Sequence, residues 1–193
     1  MKKVILAFLH DGLLYTPWSI GDVMVKGLKS PSSPVTVSFS VAEAAPNAYE
    51  QNQINLSLNV LDQEVFVVTG VNLDVLPPDA LAGTDTRVRG QLSSTSRDSI
   101  GSLSTSNVIA IARDDIRSAG FTDGGVGFSA SFGESPAIGM DYLAIIATND
   151  FFVAVEGAGN LGAKAMTGKL YGYRAIADAA TFAALTQSEL LSA

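Results

Sequence analysis

At 193 residues the chain has room for one domain with a sizeable core, and 47% hydrophobic against 16% charged residues is more apolar than a soluble monomer needs, which implies apolar surface buried against other chains. A formal charge of −7 with only twelve scattered Lys and Arg argues against direct nucleic-acid binding, which rests on basic residues displacing counterions from phosphates. The absence of cysteine removes disulfides, thiolate nucleophiles and cysteine zinc sites.

The chain opens with two lysines and the apolar run VILAFL, followed by His10 and Asp11. A secretory leader needs an apolar core of about 7–15 residues and a small-residue cleavage site, and neither is present. No window approaches the roughly 18 uninterrupted apolar residues of a membrane span. The run therefore belongs to the fold, with residues 1–30 as a first strand or an arm in which Val4, Leu6 and Phe8 contact a neighbouring subunit.

Strand periodicity follows almost everywhere. Val35, Val37, Phe39 and Val41 alternate with Thr36, Ser38 and Ser40, and Ile54, Leu56, Leu58 and Val60 alternate with Asn55, Ser57 and Asn59. Glu64–Leu76 is rich in β-branched residues, holds Gly70 where a bulge fits, and stops at Pro77-Pro78. Further strands are expected at Thr86–Leu92, Val108–Ala112, Val126–Phe132, Tyr142–Thr148, Phe151–Glu156 and Lys164–Arg174, about nine in all, separated by Gly, Pro, Asn and Ser turn signals. The Ser-rich stretch Leu92–Asn107 reads as a long exposed loop.

Two stretches invite a helix. Asp114–Ala119 has acidic residues at its start and Gly120 as a stop. At the C-terminus, Asp178 caps an Ala-rich helix over 178–191 with Phe182, Leu185 and Leu190 on one face. Successive strands without intervening helices predict an all-β fold, a single jelly-roll-like antiparallel β-sandwich over 1–193 with a short C-terminal helix.

The chemical motifs are few. Gly157-Ala158-Gly159-Asn160-Leu161-Gly162 is a literal G-x-G-x-x-G after a strand, but a dinucleotide site needs a helix opening at the third glycine and further βαβ units. Only 31 residues follow Gly162, so a hairpin loop is the expectation and no cofactor is implied. His10 is the single histidine and no G-x-S-x-G elbow occurs, which disfavours a serine triad and any site built on paired histidines. Asp123, Glu134, Asp141, Asn149 and Asp150 lie in or beside loops and offer oxygen ligands of the kind calcium takes, although none has EF-hand spacing. The chain is not expected to be an enzyme.

The segment DYLAIIATNDFFVAVEGAGN followed by KLYGYRAIADAATFAALTQSELLSA resembles the end of virion structural proteins of environmental prokaryotic viruses, including jelly-roll coat subunits. The resemblance covers about 50 residues and rests on paired strands, a glycine-rich hairpin and a Tyr-Gly-Tyr-Arg strand running into a terminal helix. It implies a structural subunit of a capsid or other virion shell, located in the virion and acting by self-assembly. Partners are then copies of itself and other virion proteins, and Tyr171, Tyr173 and Arg174 are contact positions. A carbohydrate-binding or adhesive β-sandwich is the alternative.

Overall fold

The computed structural model describes residues 27–192 apart from 119, 121–125, 131–132, 137 and 139. Val4, Leu6 and Phe8 lie outside the described residues, as do His10, Trp18 and Asp123. The strands in chain order are β1 (Leu28–Lys29), β2 (Val35–Ala42), β3 (Glu50–Asn55), β4 (Glu64–Val75), β5 (Thr86–Ser93), β6 (Val108–Arg117), β7 (Val126–Ala130), β8 (Gly133–Glu134), β9 (Ala144–Ile146), β10 (Asp150–Ala158) and β11 (Ala165–Ala177). Helix α1 (Ala179–Ser192) follows, and Val60–Asp62 forms a 3-10 turn before β4.

Every pairing is antiparallel, and five of them are nested in sequence: β2 with β11, β3 with β10, β4 with β8 and with β9, and β5 with β6. The pairs fall alternately into two sheets, so the chain is one long hairpin rolled upon itself. In the first sheet β11 is flanked by β4 on one side and by β1 and β2 on the other; the second runs β3-β10-β5-β6-β7. This is the jelly roll expected from the strand pattern, two sheets face to face with the core between them.

The first sheet contributes Phe39, Val41, Phe66, Val68, Val71, Leu73, Met166 and Leu170 to that core, and the second contributes Val88, Leu92, Phe151, Val153 and Val155. Phe39 and Phe151 meet edge to face across the two sheets, with ring centroids 5.7 Å apart. A bulge in β4 makes this face continuous. Register slips between Val68 and Gly70, opposite Tyr171 and Gly172, leaving Thr69 as the extra residue. Its insertion shifts the alternation by one, so that Phe66 and Val68 before it and Val71, Leu73 and Val75 after it all point inward. The ring of Phe66 fills the space a side chain at Gly172 would need.

Several elements depart from the local pattern. Asp114–Ala119 is not helical: β6 runs on to Arg117, because Asp114 and Asp115 are held between Val88 and Arg87 on one side and β7 on the other. Ladder pairing on both edges overrides the weak propensity of a six-residue segment. The strand expected at Ile54–Val60 is instead Glu50–Asn55, and Leu56 and Leu58 are buried in irregular chain beyond it, where Ser57 has a positive φ, their amides bonded to Asn149. The Ser-rich stretch is folded down at both ends: Leu92 and Ser93 complete β5, and Ser94, Thr95 and Asn107 are buried. Gln91 holds the middle of that loop by accepting from the Gly101 amide.

Candidate assembly surfaces

The strand registers gather the loops at two ends. At one end lie the β2–β3, β4–β5 and β10–β11 connections, and there the G-x-G-x-x-G stretch forms the corner where the chain crosses from the second sheet to the first. It is therefore not a hairpin, because β10 and β11 pair with different partners. Four of its amides are already occupied. Gly157 donates to Glu43 Oε1, Asn160 donates to Asn47 Oδ1 (2.8 Å), and Leu161 and Gly162 donate to Asp79 Oδ2 (2.8 and 3.3 Å).

Glu43, nearly buried, also accepts from the amides of Asn47 and Lys164. Lys164 Nζ closes the network on Asp79 Oδ1 (2.6 Å) and the Pro77 carbonyl (3.0 Å). Lys164, with the Leu161 amide next, holds the Asp79 carboxyl below the usual carboxylate range. The anion that such a glycine loop would cradle is thus supplied by the chain itself, as the carboxylates of Glu43 and Asp79. Gly159 has φ +73°, and a Cβ there would lie 2.5 Å from the Asp85 carbonyl oxygen, so the second glycine is required by the corner.

The opposite end carries the β3–β4 and β5–β6 loops and the start of α1. Asp178 caps the helix by accepting from the Thr181 amide (2.7 Å). Phe182 and Leu185 turn inward onto Leu28, Val65, Val67, Ala175 and Ala177, on the outer face of the first sheet. One turn further, the inward position is Glu189 rather than Leu190, since four residues from Leu185 return to the same side. Glu189 accepts from the Ala147 amide with Oε1, and burial raises its carboxyl above the usual range against the lowering effect of the Ala147 and Thr148 donors.

The outward face of α1 consequently holds Ala180, Ala183, Ala184, Gln187, Leu190 and Leu191, at 80% exposure for Leu191, and no charge. A surface helix ordinarily places its charges outward; here the single charged side chain of the helix points in. Leu61 and Leu103, exposed in the β3–β4 and β5–β6 loops, extend the apolar surface at this end.

The three sequence-predicted contact residues in the described region are separated by the alternation of β11. Tyr171 is exposed on the outer face of the first sheet. Tyr173 packs into the cluster under α1. Arg174 faces the opposite way, donating Nη2 to the Leu56 carbonyl (2.8 Å) beside Glu64 (3.9 Å). Of the candidate calcium ligands, the Asp150 carboxylate accepts from Gln53, and the Asn149 amide oxygen accepts from the Leu58 amide. Among the described residues no group of three or more His, Asp or Glu converges as a metal site, and no helix is long and apolar enough to cross a membrane. The network of Glu43, Asn47, Asp79 and Lys164 carried no sequence signal beyond ordinary turn residues near Pro46 and Pro77-Pro78.

No family model matches the chain, and no curated protein matches it. Among solved structures, a chain of Desmodium yellow mottle tymovirus is similar over 87% of this chain and 94% of its own, with 11% identity and a TM-score of 0.28.

Proposed function

We propose that the protein is a structural subunit of a virion shell that works by self-assembly, with the end of the sandwich bearing α1 as a contact between copies. The observation that carries this reading is the uncharged outward face of α1, Ala180, Ala183, Ala184, Gln187, Leu190 and Leu191, which a solvated helix would fill with charge. A 14-residue helix is about 21 Å long, too little by itself for the roughly 800 Å² per partner of a stable interface. Leu61 and Leu103 enlarge the apolar area at the same end. The jelly roll hosts many functions, so the fold supports this reading only as one of the scaffolds from which closed shells are built.

The test is sedimentation velocity and negative-stain microscopy on the full chain and on Ala184→Glu and Leu191→Glu. Both side chains are outside the folded core, so the variants should melt like the parent while failing to form oligomers or particles. A parent chain that remains a monomer at high concentration, or variants that assemble like it, would refute the proposal.

A further inference from the structure

On the outer face of the first sheet, α1 packs onto Val65, Val67, Ala175 and Ala177, on one side of the bulge. Beyond the bulge, three strands lie in register with their polar phase outward: Thr36, Tyr171 and Gly70 form one row, Ser38, Lys169 and Asn72 the next, Ser40, Thr167 and Asp74 the third. The side chains of Ser38, Asn72, Asp74, Thr167, Lys169 and Tyr171 line a groove of about 340 Å³, within the size range of small-molecule sites. Among the described residues none of the six has a side-chain hydrogen bond or ion pair inside the chain. That is the reverse of the glycine corner, where carboxylates and amides are spent on one another.

We propose that this groove binds a neutral carbohydrate, with a pyranose ring laid against Tyr171. The lining decides the ligand class. Tyr171 stands beside Gly70, its Cδ2 3.6 Å from where a Cβ would be, so no neighbouring side chain on β4 covers the flank of the ring and an apolar platform remains. Around it are one ammonium, one carboxylate, one amide and two hydroxyls, donors and acceptors of both kinds. A phosphate attracted to Lys169 would meet Asp74, and a cation drawn to Asp74 would meet Lys169. A wholly apolar ligand would strip water from five polar groups and return no hydrogen bonds. A sugar ring offers a C–H face to the tyrosine and hydroxyls to the rest. Of the six residues, all but Ser38, which lies on the edge strand β2, stand on β4 and β11, strands paired on both sides, so the groove is held in place before any ligand arrives. The groove does not depend on the shell reading, and it assigns Tyr171 to a ligand rather than to a neighbouring subunit.

The experiment is saturation-transfer difference NMR on the full chain with the methyl glycosides of glucose, galactose and mannose, with N-acetylglucosamine, and with sorbitol as an acyclic polyol. At least one pyranoside should show saturable transfer, strongest on ring C–H protons, and sorbitol should show none. Loss of the aromatic platform in Tyr171→Ala should weaken binding about tenfold, while Tyr171→Phe retains it. Asn72→Ala and Asp74→Ala should each weaken it with an unchanged melting temperature, which separates the site from the fold. The proposal is overturned if no pyranoside gives saturable transfer, if transfer persists unchanged in Tyr171→Ala, or if sorbitol competes equally. It is overturned equally if Tyr171→Ala abolishes self-association and leaves sugar binding intact.

Discussion

Replacing the three glycines of the G-x-G-x-x-G stretch one at a time should separate a structural corner from a ligand loop. Gly159 holds φ +73° with the Asp85 carbonyl oxygen 2.5 Å from the position of a Cβ, so Gly159→Ala must adopt a left-handed backbone and push a carbonyl aside. Left-handed strain alone costs about 1–2 kcal/mol, and the backbone contact adds to it, giving about 2–3 kcal/mol. For a chain of this size that lowers the melting temperature by about 4–12 °C. Gly157→Ala should cost less, since its Cβ meets the side chains of Asn160 and Glu43 at 2.8 and 3.0 Å, and Asn160 can shift only by loosening its own bonds. Gly162 has nothing within 4 Å and no left-handed φ, so Gly162→Ala should be neutral or stabilising by up to about 1 kcal/mol. Differential scanning fluorimetry on the three variants gives the order, and millimolar NAD, FAD and ATP should leave the parent curve unmoved. Equal melting of Gly159→Ala and Gly162→Ala, or a saturable upward shift with any nucleotide, would refute the reasoning.

Two further predictions concern groups the sequence does not single out. Phe151, fully buried against Phe39 at the junction of the sheets, should cost about 3–5 kcal/mol as Phe151→Ala in a denaturant titration, and a loss below 1 kcal/mol would mean the sheets are not clamped there. Burial, with Asp150 adding repulsion, raises the Glu189 carboxyl, so the folded state holds its proton more tightly than the unfolded chain. Its contribution is therefore full below the ordinary carboxylate range and lost as pH rises through the raised value. Glu189→Gln should melt higher than the parent at pH 8, and its melting temperature should change less between pH 5 and 8; a lower melt at pH 8 would contradict the buried-charge account.

What the sequence determined by itself is what depends on neighbours within a few residues. Alternation marked Val35–Val41 as a strand because a half-buried strand repeats every second residue, β-branched content marked Glu64–Leu76, and Lys164–Arg174 was expected likewise, close to the observed Val35–Ala42, Glu64–Val75 and Ala165–Ala177; Asp178 marked the helix start because a carboxylate satisfies free amides of the first turn. Gly70 was legible as a bulge position for the same local reason. Partners distant in sequence were decided only by tertiary structure. The nesting of β2 with β11 and β3 with β10 brings Glu43 to Gly157 and Lys164, more than 110 residues away, and so turns a nucleotide-like motif into a corner satisfied by its own carboxylates.

Asp114–Ala119 became strand because β5 and β7 bracket it, a fact absent from the segment itself. The row of Ser38, Lys169 and Asn72 exists only in the register of three strands. The terminal helix shows both halves of the division: composition made it a helix, but the sheet beneath it chose which side faces in. That choice buried Glu189 and left Leu190 and Leu191 outside, since packing on Val65 and Val67 fixes the rotation of Phe182 and Leu185 and every other position follows at 100° per residue.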